Sequence, residues 1–223
     1  MTRKKGKQSN YERIIDISQK LFNEEGERKI STNHIAQHLG ISPGNLYYHF
    51  ANKDEIIVQL FQRYSGSLLD YLRQTGLPEN IAGIEVYLGG IYDILWEYRF
   101  LFSDVNTLLA RSKQLLGEHN EFSHEKITPL LIRILTELRN KGLLDADDEA
   151  LRELGVNIWI VTKYWFDFDN SQHPDGWNSG TKRRGIRQTM SLLRGLVAEK
   201  HRPDYCRLME QYGRQPEPAG QAG

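Results

Sequence analysis

Residues 31–53, STNHIAQHLGISPGNLYYHFANK, hold two short helical segments joined by a two-residue turn, and the fold is read outward from them. Ser31 and Thr32 offer side-chain oxygens to the orphan N–H groups that open a helix, and Ile35, Ala36 and Leu39 give that helix its apolar side. Gly40 closes it, because glycine enters the left-handed conformation without strain. Ser42 caps the next segment, and Pro43 stands at the first helical position, where a missing N–H removes nothing. Leu46, Tyr47 and Phe50 form the inner face of this segment, with a phosphate contact through its hydroxyl as the alternative for Tyr47. The outer face presents Pro43, Gly44, Asn45, Tyr48 and His49. Two helices of this length around a glycine turn have the proportions of a helix-turn-helix, whose second helix enters the major groove by its first turn. Asn45 can offer paired donor and acceptor groups to adenine, and Gly44 allows close backbone approach. Thr32, Tyr48, His49 and Lys53 carry donors suited to phosphate oxygens.

Upstream, Ile14, Ile17 and Leu21, with Ile15, Ser18 and Phe22 beside them, line one face of a first helix that ends near Gly26. Downstream, Asn52 caps a fourth helix with Ile57, Phe61, Tyr64 and Leu68 in its stripe. The chain of 223 residues is formally neutral, yet residues 1–53 hold nine Lys and Arg against five Asp and Glu, so the remainder carries an excess of four negative charges. A basic front on an acidic remainder suits a polyanion-binding head on a non-binding body. One cysteine, Cys206, excludes an intrachain disulfide. No apolar run reaches the roughly 18 to 20 residues of a membrane span, and the basic start MTRKKGKQSNYER has no apolar stretch behind it, so a cytoplasmic protein is expected.

Helical periodicity continues beyond the break at Gln74-Thr75-Gly76-Leu77-Pro78, and no alternating strand pattern interrupts it. The expected class is all-α, with a three-helix DNA-binding head joined to a larger helical bundle for ligand binding and dimerisation. Expected boundaries are 8–68 for the head, 78–213 for the second domain and 214–223 for a disordered tail rich in proline, glycine and alanine. In the second domain Asn80 caps a helix with the stripe Ile81, Ile84, Leu88, Ile91, Leu95, Tyr98. Further helices are expected from Ser103 to about Leu116 and from Ser123 to Lys141. An acidic cluster at Asp145 to Glu149 opens one whose stripe is Leu151, Leu154, Ile158, Val161, Trp165 and Phe168. A last long helix carries Ile186, Met190, Leu193 and Val197. Trp159, Thr162 and Phe166 flank the main stripe of the helix near Asp147, and a helix apolar on two sides needs two neighbours. That helix and the Ile186–Val197 helix are therefore expected to meet their copies in a four-helix dimer interface. Aromatic side chains are dense in this half, and Tyr87, Trp96, Trp159 and Tyr164 are the candidate lining of a pocket for a small apolar or aromatic ligand.

Residues 11–61 resemble the N-terminal domain of TetR-family transcriptional regulators, and ISTNHIAQHLGISPGNLYYHFANKDEI is the stretch that carries the likeness. The resemblance implies that Thr32 meets phosphate at the start of the second helix, that Pro43, Gly44 and Asn45 face bases, and that Tyr48 and His49 meet the backbone. It further implies that Lys53 touches phosphate, and Lys4, Lys5 and Lys7 resemble a basic arm laid along DNA, with a solubilising terminus as the alternative. A homodimeric repressor released from a palindromic operator by a small molecule is the function so implied; the alternative is a DNA-binding protein whose second domain recruits a protein partner. Nothing points to an enzyme, a metal or a cofactor. His34 and His38 lack a carboxylate or cysteine at helical spacing, His119 and His124 share no helix face, and Asp167, Asp169 and His173 read as cap and loop residues.

Overall fold

The computed structural model describes residues 9–173, 176–178 and 180–214. Lys4, Lys5 and Lys7 and residues 215–223 of the expected tail lie outside them. The described residues form α1 (Asn10–Glu25), α2 (Thr32–Leu39), α3 (Pro43–His49), α4 (Lys53–Gln74), α5 (Ile81–Glu97), α6 (Val105–Arg111), α7 (Lys113–Glu121), α8 (Thr128–Asn140), α9 (Asp148–Gln172), α10 (Thr181–Ser191) and α11 (Arg202–Arg214). Among them there is no β-strand, only one isolated bridge between Leu144 and Val197.

Two compact units divide the chain, and they depart from the expected boundaries. The described residues up to Tyr64 are joined by 98–119 in the first, whereas 65–97 and the described residues from Asn120 onward make the second. In the first unit the caps act where the sequence writes them. Ser31 Oγ accepts from His34 N, Ser42 Oγ from Asn45 N at 3.2 Å, and Asn52 Oδ1 from Glu55 N at 3.0 Å. His34 completes a capping box by accepting from Ser31 N, so it serves the helix start. Gly40 adopts φ 66° and ψ 31°, a conformation that strains any residue bearing a Cβ. Ile14, Ile35, Ala36 and Leu46 are fully buried, each larger side chain contributing roughly 1.5–3 kcal/mol by leaving water. Ile15 is buried, whereas Ile17 on the same expected face is half-buried.

The helix expected from Ser103 to Leu116 is two helices. Ser112 between them is extended (φ −122°, ψ 111°), and its hydroxyl accepts from Leu115 N at 3.2 Å to cap α7. A short π-helical segment, Phe122–Ile127, precedes α8, where Thr128 Oγ1 donates to Ser123 O at 2.6 Å and Pro129 lacks an N–H to continue the ordinary ladder.

In the second unit α9 is capped by Asp147, which accepts from Ala150 N at 2.8 Å. Its buried residues include Leu151, Leu154, Ile158, Thr162, Trp165, Phe166 and Asp169. Phe168, expected in the core stripe, is 57% exposed, and Val161 is half-buried. Asp169, read as a cap or loop residue, is instead buried, where Arg184 Nε and Nη2 reach its two oxygens at 2.7 and 2.8 Å and Thr181 Oγ1 donates at 2.8 Å. α10 approaches its neighbours so closely at Gly185 that a Cβ there would lie 2.3 Å from the Tyr92 ring and 2.7 Å from the Trp165 ring. This helix stops at Ser191; Leu193 lies in the turn beyond it and Val197 in the bridge to Leu144, where Ala198 N donates to Leu143 O at 3.0 Å and Asp145 N to Leu196 O at 2.8 Å. α11, absent from the sequence expectation, is held by Tyr205, whose hydroxyl donates to Met190 O at 3.0 Å, and by Tyr212, which donates to Glu85 Oε1 at 2.5 Å.

Candidate nucleic-acid interface

α3 is an amphipathic helix of seven residues whose two sides are sharply unequal. Leu46 is fully buried and Phe50 at its end nearly so, which fixes the opposite side toward solvent. Pro43 and Gly44 are exposed, Tyr48 is 84% exposed and Tyr47 is 50% exposed. Tyr47 is thus not the core residue its place beside Leu46 suggests; its hydroxyl sits 3.0 Å from Thr32 Oγ1 and joins α3 to the start of α2. His49 is half-buried, with its ring against the rings of Tyr11 and Tyr48 at 6.2 and 5.1 Å. Tyr11 also stacks on Phe50 at 4.8 Å and donates to Gln59 Oε1 at 2.8 Å, so the start of α1 braces the end of α3.

Asn45 is half-buried, and its Oδ1 accepts from Asn10 Nδ2 at 3.1 Å. Asn10 in turn accepts from Arg13 Nη1 at 2.8 Å, and Arg13 Nη2 reaches Leu39 O at 3.4 Å. One of the two lone pairs of Asn45 Oδ1 is thus already engaged by Asn10. Nothing in the sequence marks Asn10 and Arg13, because a pairing 35 residues apart leaves no periodic signal.

Thr32, Tyr47 and Lys53 come together along an open cleft of about 330 Å³, with Arg28, Lys29, Ser31 and Asn52 on its walls. Lys53 lies deeper than expected. Its ammonium donates to Glu27 O and Ile30 O, each at 3.0 Å, and stands 2.7 Å from Glu27 Oε1. Those three acceptors use the full donor capacity of an ammonium group. Glu27 is 6% exposed, and Arg111 Nη2 also reaches its Oε1 at 2.9 Å. Burial raises the Glu27 carboxyl, but the hydrogen bonds and charges of Arg111 and Lys53 outweigh it and hold its pKa below the ordinary value.

The second unit contains an apolar cavity of about 50 Å³ lined by α5, α8 and α9 residues that include Ile84, Leu88, Ile134, Leu138 and Ile158. Of the four aromatic residues named as a pocket lining, Tyr87 reaches it and the others lie elsewhere. Trp96 packs on Phe166 and Trp177, Trp159 meets Phe122 at 5.7 Å, and Tyr164 lies under the Lys163 ammonium at 4.9 Å. Both hydroxyls nearest the cavity are engaged, Tyr87 with Leu72 O at 3.4 Å and Thr189 with Tyr92 at 2.9 Å. Among the described residues no cluster of His, Cys, Asp and Glu could hold a metal ion, and no helix is long and apolar enough to cross a membrane.

Two family profiles match the chain: one described as bacterial regulatory proteins of the tetR family over residues 14–60, and one described as a TetR bacterial transcriptional repressor over residues 61–205. An HTH-type transcriptional regulator of Staphylococcus aureus (strain USA300) is 39% identical over 71 residues, a match spanning 32% of this chain and 38% of that protein. Among solved structures, a TetR-family regulator from Marinobacter aquaeolei VT8 superposes with a TM-score of 0.79 and 33% identity, covering 92% of this chain and 99% of the other. A putative transcriptional regulator from Saccharomonospora viridis, solved in complex with choline, shares the fold at a TM-score of 0.65 and 14% identity over 85% of this chain and 98% of its own. With both halves matched and a relative aligned along nearly its whole length, the chain belongs to the TetR family of DNA-binding transcriptional regulators.

Proposed function

We propose that the protein is a homodimeric repressor that reads a palindromic operator with α3 and leaves it when a small apolar molecule occupies the second unit. The observation that carries the DNA half is the polarity of α3. Its buried side is Leu46, while Pro43, Gly44, Tyr47 and Tyr48 stand in solvent at the end of a helix-turn-helix suited to the major groove. In this reading Asn45, Pro43 and Gly44 face bases, and Thr32, Tyr47, Tyr48 and His49 face the backbone.

Dimerisation is supported by α9, which exposes Val156 and Ile160 at 49% each and Phe168 at 57%. With Tyr164 these residues recur at every fourth position and so form one stripe on the helix. A second copy would bury that stripe and set two α3 helices about 34–36 Å apart, one turn of duplex. The cavity supports ligand response, although at about 50 Å³ it is far smaller than the roughly 300–1,000 Å³ of a drug-sized site. A guest would therefore have to part the helices around it, and that demand is what couples binding to shape. Ligand and DNA would then bind different arrangements of one protein.

Selection of bound duplexes from a random pool tests the reading. A palindrome with half-sites centred about 10 base pairs apart or a multiple of that is expected. A single unpaired site, or no enrichment, would refute it.

A further inference from the structure

A phosphate-contacting lysine at the start of α4 is what the family likeness implies, and the geometry of this chain gives that lysine another task. Lys53 is 21% exposed and meets three acceptors, all on the segment from Glu27 to Ile30. That segment is a tight 3-10 turn, Glu27–Lys29, which leads directly into Ser31 and Thr32 at the head of α2. The same turn is gripped from α6. Arg111 reaches Glu27 at 2.9 Å and Asp54 at 2.7 Å, while Asp104 pairs with Arg28. Glu27 and Asp54 are balanced by Lys53 and Arg111, so these four side chains present no net charge to the cleft. What remains on the wall is Lys29, an exposed ammonium on the same turn, beside Thr32 and Tyr47.

We infer that Lys29 is the phosphate-contacting lysine of this cleft, and that Lys53, locked by Glu27 and Arg111, is a positioning residue that fixes the turn carrying it. The inference rests on the reading of the cleft between α2 and α4 as facing the DNA backbone. Its physical core is donor arithmetic: an ammonium with three acceptors already in place has no N–H for a fourth. Withdrawing it to a phosphate would leave two carbonyls and a buried carboxylate without it. Lys29 meets the opposite condition, since a solvated ammonium gives up only counterions and water on meeting DNA. Arg111 matters because it shares the charge of Glu27; without it the buried carboxylate would hold a larger share of negative charge against the incoming strand.

The test uses the full chain and a labelled random-sequence duplex of about 30 base pairs, read by anisotropy between about 50 and 200 mM salt. Lys29→Ala is expected to lower the slope of log affinity against log salt by about 0.9, the worth of one phosphate. Lys53→Gln is expected to weaken binding about tenfold and leave the slope at the parent value, and Glu27→Gln/Arg111→Ala is expected to bind within about threefold of the parent where Arg111→Ala alone falls about tenfold. A slope lowered by Lys53→Gln and untouched by Lys29→Ala overturns the inference, as does a double variant no better than Arg111→Ala. Circular dichroism of each variant guards against unfolding, and Arg111→Lys, which keeps the charge, is expected to restore binding if Arg111→Ala proves unstable. Thr32→Ala and Tyr47→Phe separate the two levels of failure. If they too bind like the parent, the cleft does not face DNA and the underlying reading falls; if they weaken binding while the lysines behave in the reverse sense, only the inference falls.

Discussion

α3 and α9 both leave aromatic rings in solvent, and they do so in opposite company. On α3 the exposed Tyr47 and Tyr48 stand among Thr32, Asn45 and His49, so each ring carries or adjoins a hydrogen-bonding group. On α9 the exposed Phe168 follows Val156 and Ile160 along one stripe, with no donor among the three. Exposure alone therefore says little about use. The neighbours decide it, because a phosphate strand demands donors and a protein face demands displaced water.

The largest expected effect comes from breaking the α9 side of this contrast. If the proposed dimer forms on the α9 stripe, Ile160→Asp should raise its dissociation constant by about a hundredfold or more, because an unpaired charge in an apolar contact costs several kcal/mol. Folding of the single chain should change by no more than about 0.5 kcal/mol at a half-exposed site. Sedimentation velocity over a concentration series reads the first and thermal unfolding the second. A variant that stays dimeric would free the stripe for a different partner, which is the alternative open from the sequence.

A smaller effect is expected on the α3 side. Asn45→Ala should cost about 1–3 kcal/mol of discrimination between selected and scrambled duplexes while leaving binding to scrambled DNA nearly unchanged. Competition binding with both duplexes measures it. Loss of equal size on both would make Asn45 a backbone contact and remove the base-reading role from the comparison.

The smallest effect concerns pH. Glu27 has a folded-state pKa below its ordinary value of 4.5, so its contribution is complete above that value and is lost as pH falls through the lower folded one. The parent should accordingly lose more stability than Glu27→Gln as pH falls, with the difference opening below about pH 4.5. Melting temperatures at matched ionic strength give the comparison, and parallel curves would show that the carboxylate contributes nothing charge-dependent to folding.

The head was legible because its boundaries are chemical. Ser31, Ser42 and Asn52 each supply a capping oxygen, and Gly40 supplies a conformation few residues share, so the ends of α2, α3 and α4 are written in residue types. The break at Ser112 carries no such mark, since a serine in extended backbone looks like any other serine. α11 leaves little sequence signal because Tyr205, Leu208, Met209 and Tyr212 are diluted by Arg202, Asp204, Arg207 and Glu210, and its anchor points are hydrogen bonds to Met190 and Glu85. Depth was the other illegible quantity. Trp96, Trp159 and Tyr164 are of the same aromatic type as Tyr87, yet only packing separates a cavity wall from a ring packed against other rings. Lys53 shows the same limit within the site: its motif position is plain, but Glu27, 26 residues upstream, decides what its ammonium does.

Gly44 has only the Ser42 hydroxyl, 3.9 Å away, near the place a Cβ would take, and its backbone angle is one that any residue adopts. A vacancy of this kind on a helix of seven residues is an open slot in an alphabet. Replacement by alanine would even favour the helix by as much as about 1 kcal/mol, so new side chains can be tried there without disturbing the head's own packing. Descendants of this gene could thus change the word they recognise at position 44 while the rest of the head keeps its spelling.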